Sequence, residues 1–374
     1  VRILLAFLLA TTASAQSHLT FKNSHTNENL RGVSAVSAQI AWASGTRGTY
    51  LRTVDGGRIW VVAQVPDASK LDFRGIVAFS ADDAFLMSSG PGELSRIYHT
   101  GDGGRHWDRQ LTNSDPKGFF DSMAFWDPKH GIVLGDPIPD AAGKLKFQLL
   151  ETEDGEHWHA MPTAGLPEAM EGEGAFAASN TCIAILPAGY EKHIWFVTGG
   201  KVARVFHSPN GGKDWEVVEA PIVHGPESAG IFSIAFLTDE DGVIAGGDYK
   251  KPDADGRNLA FTHDGGSTWE SATIRPLSYF SAVVYDRKVT AEARGHRSSE
   301  VKAELKRTPV EHKPSPAERV FVVGQNFVLD ATSSTHARRL VPKKKPDGAF
   351  NAISALPEGG SLLVGAKGVI AVVR

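Results

Sequence analysis

Five side chains that could ligate a metal or exchange protons recur in one phrase along this chain: Asp55, Asp102, Asp154, Asn210 and Asp264. Each lies two residues after a Ser or Thr and is followed by Gly and then by a tryptophan: Trp60, Trp107, Trp158, Trp215 or Trp269. Repeated exposed carboxylates suggest catalysis or metal binding, but the fixed setting Ser/Thr-x-Asp-Gly-Gly-x-x-Trp points to a tight turn. There the carboxylate and the hydroxyl accept backbone N–H groups, the glycines supply positive φ, and the tryptophan anchors the departing strand against its neighbour. These ten residues are therefore read as structural.

A second polar set is the better candidate for binding. Glu93, Arg96, Asp136, Glu173, Asp248 and Tyr249 lie in polar segments at 90–96 (GPGELSR), 135–144 (GDPIPDAAGK), 168–174 (EAMEGEG) and 246–258, and Arg74 and Arg204 are grouped with them. If those segments share one face, mixed acids and arginines would grip a polypeptide or a glycan through charge-assisted hydrogen bonds. The plainer reading is that they brace the loops as ion pairs. Cys182, the single cysteine, sits in the apolar stretch TCIAIL and reads as a small buried thiol; no internal disulfide can form. Asp253-Ala254-Asp255-Gly256-Arg257-Asn258 begins like a calcium loop but lacks the downstream Glu, so a polar loop between strands is expected. With no GxGxxG unit, no C-x-x-C-H and no Cys/His cluster at ligand spacing, no cofactor, metal or catalytic residue is assigned.

The elements that must position these groups follow from the spacing. Successive Asp/Asn positions lie 47, 52, 56 and 54 residues apart, the period of one small sheet per repeat. Between them come short apolar strands with turns, as in FRGIVAFSADDAFLMSS, FFDSMAFWDPKHGIVLG and IFSIAFLTDEDGVIAGG, and no sustained helical stripe. The expected fold is all-β: a single propeller of seven four-stranded antiparallel blades over residues 16–374. The sixth blade has lost its glycines and tryptophan. The seventh stops after three strands, so its outer strand is expected from the other end of the chain, HLTFKNSHTNENL, pairing the two termini and hiding a sheet edge.

Residues 1–15, with a basic start, the run ILLAFLLA and Ala13-Ser14-Ala15, read as a secretory signal, implying an exported protein of the bacterial periplasm or exterior. No Cys follows the cleavage site, so a lipid anchor is not expected. The net charge is only −4, yet 287–345 holds fourteen Lys and Arg against six Asp and Glu. Within it the insertion 287–318, with Ser299 placed to cap a short helix, is read as a solvated charged loop; the functional alternative is a basic arm for an acidic protein or an anionic membrane surface. Nucleic acid is not expected as a partner, and the chain reads as a monomer.

The repeated phrase, together with TYLRTVDGGRIW, GPGELSRIYHTGDGGRHW, GEGAFAASNTC and GGDY, resembles the Asp-box or bacterial neuraminidase repeat, shared by sialidases, sortilin-type receptor domains and photosystem II assembly and stability factors. It looks most like bacterial exported proteins grouped with those assembly factors, from about Val33 to Arg374. The resemblance implies a non-enzymatic scaffold that binds a protein partner. The alternative it leaves open is a carbohydrate-active enzyme with carboxylates in the channel. A sialidase would need an N-terminal Arg-Ile-Pro, which Ile274-Arg275-Pro276 echoes only superficially.

Overall fold

The computed structural model describes residues 18–186, 192–275, 277–286, 319–342 and 346–374. The signal-like segment, the insertion 287–318 with its Ser299 cap, and Lys343 to Lys345 lie outside the described residues. Seven four-stranded antiparallel sheets succeed one another around a ring, one of them extended by the short pair Glu173–Gly174 and Gly199–Gly200. The inner strands are Leu30–Ala35, Phe73–Ala78, Phe120–Phe125, Ile183–Ile185, Ala229–Phe236, Phe280–Tyr285 and Phe350–Ala355. They define blades 1 to 7 in chain order.

Burial grades outward along each blade. The second strands Ala41–Gly45, Ala84–Ser88, Ile194–Val197 and Ser361–Gly365 are buried at every position, because a neighbouring blade covers each face. They therefore read as continuous apolar runs instead of alternating ones. Outer strands such as Val61–Gln64 and Glu216–Glu219 are largely exposed. Large rings fill the wedges between blades. Trp42 of blade 1 donates to the Ser80 carbonyl of blade 2 at 2.9 Å and meets Trp107 edge-on. Trp195 of blade 4 stacks on Phe236 of blade 5 with centroids 3.8 Å apart and donates to the Gly265 carbonyl at 2.8 Å.

The ring closes through the termini. Leu19–Lys22 becomes the outer strand of blade 7, with Leu19 opposite Val373 and Lys22 opposite Ile370. The rest of the expected segment, beyond Lys22, instead forms the connection into blade 1. At the inner strands the blades are stitched by side chains that take up otherwise free N–H groups. Ala35 N–H donates to Ser354 Oγ (3.0 Å), Ala78 to Ser34 Oγ (3.0 Å), Met123 to Asn180 Oδ1 (2.8 Å) and Val283 to Ser233 Oγ (2.9 Å).

The five repeated phrases all join the third strand of a blade to the fourth, and all have one hydrogen-bond plan. In the second, the Thr100 hydroxyl donates to Asp102 Oδ1 (3.0 Å) and accepts from Gly104 N–H (3.0 Å), and His106 N–H donates to Asp102 Oδ1 (2.9 Å). The equivalent hydroxyl bonds of Thr53, Thr152, Ser208 and Thr262 measure 2.8–3.0 Å from the glycine N–H. The second glycine of four phrases, Gly57, Gly104, Gly212 and Gly266, sits at φ between 75° and 95°, where a β-carbon would be strained. The Asp102 and Asp154 carboxyls are held well below the usual range, chiefly by the N–H groups of His106 and His157. Such carboxylates are spent on their own turns.

Candidate functional site

An antiparallel blade sends alternate connections to opposite ends of the ring. The phrases and the first-to-second-strand turns occupy one end. The other end carries the second-to-third-strand loops, including 88–96, 139–145 and 248–259, together with the links from each outer strand to the next inner one. At that second end the channel opens into a cavity of about 510 Å³ whose lining comes from six blades and from the link 175–178 that leads into blade 4.

One backbone device builds that lining. In six blades the inner strand shifts register near its start, at its second residue in five and its fourth in blade 5: between Leu30 and Gly32, Phe73 and Gly75, Phe120 and Ser122, Ile231 and Ser233, Phe280 and Ala282, and Phe350 and Ala352. A β-bulge leaves one residue unpaired and re-aims its side chain. The bulged residues are Arg31, Arg74, Asp121, Phe232, Ser281 and Asn351, and all six line the cavity. The small residue that follows is needed because neighbouring blades come close here. A β-carbon on Gly32 would lie 2.7 Å from Ser44 Oγ and 2.9 Å from the Arg74 carbonyl, and one on Gly75 would lie 2.8 Å from Asn180 Oδ1.

The mouth has three chemically distinct walls. On blades 1 and 2, Asp72 lies between two guanidiniums, with Arg74 Nε 2.9 Å and Arg31 Nε 3.5 Å from its oxygens. Two positive charges thus face one negative. Arg74 Nη1 also donates to the Ala177 carbonyl at 3.0 Å, which holds its plane. Burial pulls the Arg31 guanidinium below its ordinary value, with Asp72 opposing. On blade 3, Asp121 and Asp136 form an acidic wall. Asp136 Oδ1 accepts from Ala175 N–H at 2.9 Å, and burial pushes its carboxyl up to about 6. The third wall is aromatic: Phe176 stacks on Phe232 with centroids 3.9 Å apart, and Tyr279 and Tyr249 meet Phe232 edge-on at 4.9 and 6.2 Å.

Of the eight residues singled out from the sequence, Arg74, Asp136 and Tyr249 line the mouth. The other five do not. Glu173 and Arg204 pair with each other, their side chains 0 % and 7 % exposed. Arg204 Nε donates to Glu173 Oε1 at 2.9 Å, the Thr198 hydroxyl to the same oxygen at 2.6 Å, and Met170 N–H to Oε2 at 2.8 Å. Both are held to each other and turned away from the mouth lining. Asp248 is buried and caps its own turn, accepting from Lys250 N–H at 2.9 Å. Glu93 is exposed on the short turn Gly92–Leu94, whose carbonyl takes the Arg96 Nε. Arg31, Asp121, Phe232, Ser281 and Asn351 carried a sequence signal not used above: the recurrent phrase large apolar, any residue, small, apolar, as in Leu30-Arg31-Gly32-Val33 and Phe120-Asp121-Ser122-Met123.

Cys182 is fully buried, and burial drives its thiol far up. We expect no alkylation of the native protein by iodoacetamide at pH 8 and one equivalent per chain in denaturant, read by mass spectrometry. Rapid native labelling would contradict this burial.

Fold and mouth together define a seven-bladed β-propeller with a charged, aromatic-walled opening. No protein-family model matches the chain. In sequence it is similar to the photosystem II assembly lipoprotein Ycf48 of Synechococcus sp. (strain CC9902), with 23 % identity over 271 residues covering 69 % of this chain and 67 % of that protein. Among solved structures, YCF48 bound to D1 peptide superposes with a TM-score of 0.60 at 17 % identity, covering 95 % of this chain and 96 % of that one. YCF48 from Cyanidioschyzon merolae gives 0.59 at 16 % identity over 95 % and 98 %.

Proposed function

We propose that this protein is an exported, non-enzymatic scaffold that holds a segment of a partner protein at the channel mouth and assists assembly or stability of a larger complex. The observation that carries the reading is the bulge-built mouth itself, where Arg31 and Arg74 stand with one shared carboxylate beside an aromatic wall. Two guanidiniums gathered around Asp72 suit a further carboxylate on the partner, and the rings supply apolar area for neighbouring side chains. The relationship to Ycf48 supports a protein partner, and the D1 peptide of its solved complex supplies a probe. The signal-like first fifteen residues support export, as does the word lipoprotein in that relative's name.

Carbohydrate hydrolysis is the rival reading, and Asp121 with Asp136 is the pair it would use. Asp121 and Asp136 stand on adjacent strands of one blade, and a turnover assay separates hydrolysis from binding. Fluorescence anisotropy with labelled D1 peptide tests the reading: saturable binding, abolished by unlabelled peptide, is expected. Absence of saturable binding, with turnover of nitrophenyl glycosides, would replace it with the enzyme.

A further inference from the structure

Blade 3 departs from the other blades in a way the binding reading does not use. Besides the bulge at Asp121, its second strand carries another register shift, between Gly135 and Pro137, at Asp136. Two bulges on adjacent strands turn two carboxyls into the same cavity. Asp121 is 1 % exposed, and its Oδ2 has no hydrogen-bond partner. A buried, unpaired carboxylate oxygen is costly unless something compensates it. The charge of Arg74 and the backbone N–H groups of Ala177 and Asp136 offset this burial only in part, and Arg74 is itself bonded to Asp72 and the Ala177 carbonyl.

We propose that Asp121 and Asp136 form a subsite for an organic cation, the ammonium or guanidinium of a basic side chain, distinct from the arginine subsite beside it. This rests on the reading of the mouth as a peptide-binding site and adds that the bound segment carries a basic residue. Two features favour an organic cation over a metal ion. Among the described residues no group of three or more His, Cys, Asp or Glu comes together to hold a metal. The acidic wall also adjoins Phe119 and Phe176, whose ring faces attract a desolvated ammonium. The mouth is then bipolar, and the ligand is a segment with an acidic and a basic group in proximity.

The subsite is linked to protons. Burial, and then the charge of Asp136, pushes the Asp121 carboxyl well up; burial alone pushes Asp136 to about 6. The charged and titratable groups around the pair are Arg31, Asp72, Arg74, Cys182, Tyr249 and Tyr279. Of these, burial keeps Cys182 and Tyr279 protonated. The cation binds best where Asp136 is ionised, so its affinity must rise as the pH passes upward through the titration of Asp136.

The test needs no peptide. Titrating n-butylammonium into the full chain, followed by NMR, should show saturable binding that n-butanol does not reproduce and that strengthens between pH 5 and 7.5. Asp136→Asn and the isosteric Asp121→Asn should each weaken it by about tenfold, while Arg74→Gln, which removes a neighbouring like charge, should tighten it. Absence of saturable binding, equal binding of n-butanol, or unchanged affinity in both Asn variants would overturn the subsite. D1 peptide binding would decide the broader reading separately.

Discussion

Replacing Glu173 by alanine will lower the free energy of unfolding by about 3–5 kcal/mol, the cost of stranding one partner of a buried ion pair. The Arg204 side chain, 7 % exposed, would lose both of its charge-assisted bonds and keep only the Glu168 carbonyl at 2.8 Å. Thr198 and Met170 N–H would lose their acceptor as well. Glu173→Gln keeps an acceptor for one of these and should cost less. Replacing both partners by apolar residues of similar size, Glu173→Leu with Arg204→Met, should recover much of the loss. Urea unfolding measures all four proteins. A loss below about 1 kcal/mol in the alanine variant would mean that water enters and the pair is not closed off.

The second large effect concerns binding. Arg31→Gln with Arg74→Gln should weaken D1 peptide binding by about a hundredfold, since two charge-assisted contacts are removed together. The fold should tolerate the change, because the three side chains of the cluster, Arg31, Asp72 and Arg74, are each 23–29 % exposed. The wild-type affinity should also fall with added salt, and the variant should lose most of that dependence. An unchanged affinity in the double variant would remove the arginine pair from the account.

The sequence made the ring legible because each blade spends its most recognisable residues on the turn between the third and fourth strands. Asp55, Asp102, Asp154, Asn210 and Asp264 mark five blades, and the truncated seventh implied a strand from the N-terminus, which is Leu19–Lys22. The channel mouth was far less legible. Its residues sit inside strands, where Phe232 looks like core and Asp121 like a solvent-facing alternate, and only the bulge turns them to the channel. Loop residues drew attention because they are polar and clustered. Glu173 and Arg204 have that polarity for another reason, since they satisfy each other beneath the loop. A one-residue bulge cannot be read from hydropathy alone, although its repetition beside a small residue in six blades can be seen in retrospect.

The central claim is that the partner segment lies at the end of the ring opposite the repeated turns. Site-specific photo-crosslinking tests it directly, with p-benzoylphenylalanine placed in one protein at Tyr249, 46 % exposed at the mouth, and in another at Ile59, 63 % exposed on the first repeated turn. A cross-link to labelled D1 peptide is expected from position 249, abolished by excess unlabelled peptide, and none from position 59. Specific cross-linking from position 59 with none from 249 would contradict it and move the binding face to the other end of the propeller.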